Sequence, residues 1–311
     1  SSVEPGSVLA ELCANDNSLL SPNVSMYVEQ LTGFTPGANS SLSESSLANS
    51  LCQLKRSYRF SESSGIARLA RLVNAGETLF FDSYTPGEYT QEDVVFFPLE
   101  QQEHCLALVL ERYAGFIKAC QQTEASAAHL LQLRSAFQVL CATREGRWGV
   151  NEINTWVENA LRKSGLIPNN GYYPGCAIMI NQNSYAQQLF NGDIGLVLAD
   201  SDHRNELSVF FPPQISGGDQ APRRFHLSRL PPHEKVYAMT VHKSQGSEFD
   251  EIVLVYPDQD SPVLTRELLY TAVTRAKKRC YLLADQSLLN ASVKRKTRRD
   301  SGLAAMLAKQ P

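Results

Sequence analysis

The chain contains no Gly-Lys dipeptide anywhere in its 311 residues. A P-loop, Gly-x-x-x-x-Gly-Lys-[Ser/Thr], needs that pair, because backbone N–H groups and one Lys together cradle the β- and γ-phosphates. This stretch of sequence cannot grip a nucleoside triphosphate in that way by itself. No apolar strand ends in the Asp-Glu pair that would hold Mg²⁺ and orient water. Leu196–Asp200 resembles such a strand but lacks the Glu. No carboxylate cluster for two-metal nuclease chemistry stands out, and no metal ligand is expected. The seven cysteines, at 13, 52, 105, 120, 141, 176 and 280, come no closer than fifteen residues. That excludes CxxC zinc or redox spacing and fits reduced thiols in the cytoplasm. No apolar run approaches the ~20 residues that cross a bilayer. The opening Ser1-Ser2-Val3-Glu4-Pro5 has neither an initiator Met nor a charged-then-apolar leader, and reads as a cut inside a longer protein. The net charge of −3 gives no global basic field, so any nucleic-acid contact must rest on a local basic face.

What is present is an ordinary core-forming composition, 43% hydrophobic and 20% charged, over a length suited to about two domains. Residues 1–50 are rich in Ser, Asn and Gly, which predicts one short helix near 7–13 and then a loose connection. Ile66, Leu69, Ala70 and Val73 recur at helical spacing before a stop at Asn74-Ala75-Gly76. Residues 94–97 and 138–142 read as strands; 106–120, 125–137 and 150–161 read as helices. From Tyr172 the texture changes to short strands at 176–180, 194–199, 207–211 and 225–227, separated by turn residues such as Asn191-Gly192-Asp193. This pattern predicts a small inserted β-barrel over 172–233. Strands at 236–240, 252–256 and 280–284 follow, with a helix from about Arg266 to Ala276. Strands alternating with helices imply an α/β fold with a mostly parallel sheet.

Three stretches carry candidate chemistry. In Tyr237–Asp250, a strand ends at Thr240, whose hydroxyl can cap a short helix, and His242, Lys243, Ser244 and Gln245 crowd its first turn. Free N–H groups at a helix start favour phosphate, and Gly246 permits a sharp turn or a close approach. The plain alternative is a simple cap with solvated side chains. In Glu267–Arg279, Arg275 falls in the last turn of a helix that Thr265 can cap. There it either serves the macrodipole or meets charge on a transferring phosphoryl group. Leu54–Phe60 is a basic turn in which Tyr58 and Arg59 could meet a base and a phosphate, or serve as core and surface. The run Lys294–Arg299 is read as a solvated face, with a nucleic-acid track as the alternative.

Together these stretches resemble the late motifs of superfamily 1 DNA helicases of the RecD type. Leu54–Phe60 is similar to motif IV, Met239–Asp250 to motif V and Tyr270–Lys277 to motif VI. Further likenesses are Ser2-Val3-x-x-Gly6-x-Val8-Leu9, Leu140–Gly146 with Gly149-Val150-x-x-x-Asn154, Leu189–Gly195, and Ser301–Ala305. They run over nearly the whole chain in order.

The resemblance implies a RecA-like domain (residues 51–171 plus 234–311), an SH3-like insert (172–233), and a tail of the first motor domain (1–50). It also implies that Arg59 and Arg275 reach the γ-phosphate of ATP, with Tyr58 beside the adenine and Gly246 and Glu248 near the phosphate or ribose. Thr240, His242, Lys243, Ser244 and Asn154 would contact single-stranded DNA. ATP and Mg²⁺ would belong to the full-length protein, with none bound to this part alone. The close soon after Ser301–Ala305 favours a subunit of exodeoxyribonuclease V, with RecB and RecC as partners. A non-catalytic DNA- or protein-binding module of helicase ancestry is the rival reading.

Overall fold

The computed structural model describes residues 19–42, 47–51, 64–81, 93–122, 125–200, 206–213 and 221–297. The chain divides into two compact units, Ser1–Arg59 with Thr297–Pro311, and Phe60–Lys296.

In the first unit, helix α1 spans Pro22–Thr32. Pro22 opens it, where a missing N–H costs nothing. Gly33 closes it at φ 70° with its N–H on Glu29 O. The Ser25 hydroxyl donates to Pro36 O at 2.8 Å, and Ser21 N–H donates to Asn49 Oδ1 at 2.8 Å. A helix here departs from the loose connection expected. No apolar stripe announces it: Ser25 is its one buried residue, while Met26, Tyr27 and Leu31 are exposed. The helix expected near 7–13 lies outside the described residues.

The second unit is built on a five-stranded parallel sheet. Its strands are β1 (Val94–Phe97), β2 (Phe137–Cys141), β8 (Ala238–Thr240), β9 (Phe249–Val255) and β10 (Ala276–Leu283), in the order β1-β10-β9-β2-β8. Alternation along the strands sorts the side chains. Val95, Phe97, Val139, Cys141, Val253, Val255, Tyr281 and Leu283 face one way. There they meet Cys105, Val109, Tyr113 and Ile117 of α3 (Gln102–Gln121), and Ile153, Val157 and Leu161 of α5 (Val150–Lys163). Phe96, Leu140, Ile252, Leu254, Cys280 and Leu282 face the other way. They pack on α2 (Gly65–Ala75), α6 (Arg266–Val273) and α7 (Gln286–Lys294). Both faces are covered, which is why these strands are near-continuous apolar runs. Each buried Val, Leu or Ile contributes about 1.5–3 kcal/mol. Helix α4 (Ala127–Arg134) ends earlier than the expected 137, because Phe137 already begins β2. Helix α7 was not read from the sequence. Arg295, at its end, pairs with Asp260 at 2.6 Å and also donates to Ser261 O and Leu264 O, so this part of the basic run is not merely solvated.

Between α5 and β8 lies a five-stranded antiparallel sheet. It comprises β3 (Ala177–Ile180), β4 (Ile194–Asp200), β5 (Glu206–Phe211), β6 (Arg223–His226) and β7 (His233–Lys235), in the order β6-β5-β4-β3-β7. Four strands fall where expected, and β7 is the addition. The pairing among described residues leaves β6 and β7 at opposite edges. Ile178, Ile180, Val197, Val209 and Phe211 share one core with α3 and α5. The boundaries expected at 172 and 233 therefore fall inside a single compact unit.

Candidate functional site

Register fixes where the candidate residues stand. Thr240 is level with Cys141, which is level with Val255, the carboxyl end of β9. Phe249, the first residue of β9, is level with Ala276, the first of β10. Strand β9 is about 20 Å long at ~3.3 Å per residue. Residues 241–248 therefore cross from the carboxyl edge of the sheet to its amino edge.

This crossing is a run of turns where a short helix was expected. Thr240 Oγ1 does accept from Lys243 N, at 3.3 Å, so the cap exists. Beyond it, Gln245 N bonds His242 O and Ser247 N bonds Ser244 O, both three residues back. Gly246 then adopts φ +84° with open space where a Cβ would sit. Left-handed backbone at that point stops a helix from propagating. The Ser244 side chain is fully buried and donates to Val241 O at 2.7 Å. It pins the turn and is not open to a strand of DNA. Asn154 of α5 is similarly engaged: its Oδ1 accepts from Tyr237 N (2.8 Å) and Ala238 N (2.7 Å), and its Nδ2 donates to Ala238 O at 3.1 Å. Its amide positions the start of β8. Both side chains spend these hydrogen bonds on backbone.

At the carboxyl edge, Lys243 Nζ reaches both Asn181 Oδ1 and Glu234 Oε1 at 3.3 Å. Arg144, just beyond β2, reaches Glu234 Oε2 at 3.6 Å. His242 is half-buried in the same turn. Sequence reading missed Glu234, which no pattern flagged. Arg144 was legible as part of Leu140–Gly146 but received no role.

At the amino edge, helix α6 ends at Val273, Thr274 is its C-cap and Arg275 comes next. Arg275 Nε donates to Thr271 O at 3.1 Å and Nη1 to Ser247 O at 3.0 Å, while Phe249 N donates to Arg275 O at 2.9 Å. Glu248 pairs with Lys277 at 3.2 Å, and Asp250 with Lys278 at 2.8 Å. The stretches around 248 and 275 are thus joined by four contacts. Beside them opens a cavity of 660 Å³, lined in part by Ser247, Glu248, Phe249, Arg134 and Arg223. Tyr58 and Arg59 lie outside the described residues.

Arg134 is buried, donating to Phe137 O and to Gln138 Oε1, and burial lowers its pKa. Burial also pushes the Cys105, Cys120 and Cys176 thiols up to about 12, so they stay protonated and inert. Among the described residues no group of three His, Cys, Asp or Glu side chains is placed to hold a metal ion, and no helix is long and apolar enough to cross a membrane.

A parallel α/β sheet with two candidate stretches at its edges, beside an antiparallel sheet, is the setting in which the sequence comparisons fall. The profile of the UvrD-like helicase C-terminal domain matches residues 235–283, the stretch from β7 through β10. The RecBCD enzyme subunit RecD of Haemophilus influenzae is 31% identical over 98% of this chain and 48% of its own length. That of Mycolicibacterium smegmatis is 34% identical over 83% of this chain and 44% of its own. Over most of its length the chain is similar in sequence to these RecD subunits, and it spans about half the length of the curated relatives it matches. Among solved structures, the Pif1 helicase from Bacteroides in complex with ADP-AlF3 and ssDNA covers 81% of this chain and 54% of its own. Its identity is 13% and its TM-score 0.38.

Proposed function

We propose that this chain is the second, RecA-like motor portion of an ATP-dependent 5′→3′ DNA helicase, with the antiparallel sheet as an SH3-like insert. The whole protein would be the helicase subunit of exodeoxyribonuclease V, working in the cytoplasm with RecB and RecC in double-strand break repair and recombination. The observation that carries the reading is the junction at the amino edge, where Arg275 bonds Ser247 O beside Glu248. A helicase needs its motif V and motif VI groups to move as one body when the nucleotide cleft closes, and four contacts tie them here.

In this reading a first motor domain carries the P-loop, Mg²⁺ and the attacking water. Arg275 is the finger: it exchanges Ser247 O, a neutral acceptor, for a phosphate oxygen, which a guanidinium binds more strongly. Gly246 and Glu248 face the nucleotide. Thr240, His242 and Lys243 meet the DNA backbone at the other edge, while Ser244 and Asn154 hold the backbone that presents them. A finger is worth ~10³–10⁵ in rate, about 4–7 kcal/mol of barrier, and nothing without the cradle.

The test has two parts. The 311-residue chain alone shows no ATP turnover. A polypeptide that joins it to a P-loop-bearing half shows DNA-stimulated turnover that Arg275→Ala removes. Arg275-dependent turnover by the chain alone would refute the division of labour.

A further inference from the structure

We infer that Arg144 and Lys243 form one contact point for a phosphate of a single nucleic-acid strand, and that Glu234 of β7 occupies this point while the strand is absent. The inference rests on the proposed reading of the carboxyl edge as the DNA side. It adds a further binding residue, Arg144, and an internal competitor, Glu234.

The geometry of Glu234 carries it. Its two carboxylate oxygens are divided between the two cations: Oε1 lies 3.3 Å from Lys243 Nζ, and Oε2 lies 3.6 Å from Arg144 Nη2. A phosphodiester also offers two free anionic oxygens, so it can replace the carboxylate while both cations stay in place. The cations come from separate strand ends, Arg144 beyond β2 and Lys243 beyond β8. That is the crevice outside the carboxyl ends of a parallel sheet, where ligands of such sheets bind. The carboxylate comes from the insert.

Both pairs are long for charge-assisted bonds, whose usual N···O distance is ~2.7–2.9 Å. The next residue of the same strand, Lys235, makes a tight pair with Glu158 at 2.7 Å. Strand β7 is therefore anchored by its neighbour while Glu234 is held loosely. The participants are also reachable: side-chain exposure is 55% for Arg144, 35% for Glu234 and 26% for Lys243. Glu145 stands 4.0 Å from Arg144 but is itself 77% exposed and accepts from Asn151, so it is a weaker rival for that guanidinium. An exposed ion pair contributes little to stability. That makes this one cheap to exchange, and a strand that displaces Glu234 also frees the insert edge from the motif V turn.

The experiment is fluorescence anisotropy of labelled oligothymidylate with the 311-residue chain across a salt series. E234Q keeps the shape of the side chain and removes the competing charge. It is expected to tighten binding roughly two- to fivefold at low salt, the scale of one exchangeable surface pair. Lys243→Gln and Arg144→Gln each weaken binding and lower the log–log salt slope by about 0.7. Glu103→Gln, an exposed site in the first turn of α3, makes the same change in net charge and leaves binding unaltered. The cost of Lys243→Gln is larger in the E234Q background, because the lysine no longer has to be released. Should Gln at 234 unsettle β7, E234D, which withdraws the charge by one methylene, gives the same tightening in smaller measure. If neither 234 variant binds more tightly than Glu103→Gln while Lys243→Gln still weakens binding, the competitor is disproved and the DNA reading survives. If Lys243→Gln and Arg144→Gln both bind like the parent chain, the DNA reading of this edge fails and the inference falls with it.

Discussion

The two edges of the parallel sheet hold their cations in different ways. At the carboxyl edge, Lys243 and Arg144 share one loosely held, partly exposed carboxylate. At the amino edge, Arg275 is half-buried and donates to the carbonyls of Thr271 and Ser247, inside a junction that also includes Glu248–Lys277 and Asp250–Lys278. A carboxylate partner can be replaced by another anion with little reorganisation, so the first arrangement suits repeated capture and release of a charged chain. The carbonyls of Thr271 and Ser247 fix the direction of the guanidinium, so the second suits a cation that must be aimed. One crossing segment, 241–248, connects the two.

The largest expected effect breaks the comparison at the amino edge. In a polypeptide that includes the P-loop half, Arg275→Ala lowers kcat by ~10³–10⁵ and leaves the Kd for single-stranded DNA within twofold, as steady-state kinetics and anisotropy can read together. A similar loss in DNA affinity would mean that the edges are not separable. Next comes the support of the crossing segment. Asn154→Ala strands the N–H groups of Tyr237 and Ala238, and is expected to cost about 2–3 kcal/mol. For a chain of this size that lowers Tm by roughly 3–5 °C, which calorimetry resolves.

A smaller effect concerns a carboxylate beyond β10, that of Asp285. Asp285 caps α7 by accepting from Leu288 N at 3.0 Å, and together with the Ser287 hydroxyl this holds its carboxyl below the ordinary range. Removing such a cap costs about 1 kcal/mol. A lowered folded pKa gives stability that is complete above the unfolded value near ~3.9 and is lost as pH falls through the folded one. Asp285→Ala therefore destabilises at neutral pH, and its difference from the parent fades in acid. The smallest effect is Lys277→Ala. In its pair with Glu248 the lysine is exposed and the carboxylate partly so, and a change in stability within about 0.5 kcal/mol is expected.

Much of the sheet was legible because its chemistry is local. The apolar strands 94–97 and 252–255 and the spacing of Ile66, Leu69, Ala70 and Val73 report burial on one or both faces directly. Helix α1 and strand β7 were not legible, since neither displays an apolar period. Residues 233–235 are His, Glu and Lys, all half-buried. Within the site, Lys243 stands in a run of turns and Arg275 two residues past a helix end, whereas the sequence placed Lys243 in the first turn of a short helix and Arg275 in the last turn of another. It could not tell that Ser244 points inward, that Asn154 spends its amide on backbone, or that Glu234, nine residues before Lys243, answers it from another sheet. Those are facts of register and of contact between sheets.

Hydrogen–deuterium exchange of the chain with and without oligothymidylate tests the division between the edges most directly. Added strand is predicted to slow amide exchange at 142–145 and 240–246 and to leave 274–279 unchanged. Slowing confined to 274–279, with none at 240–246, would contradict it.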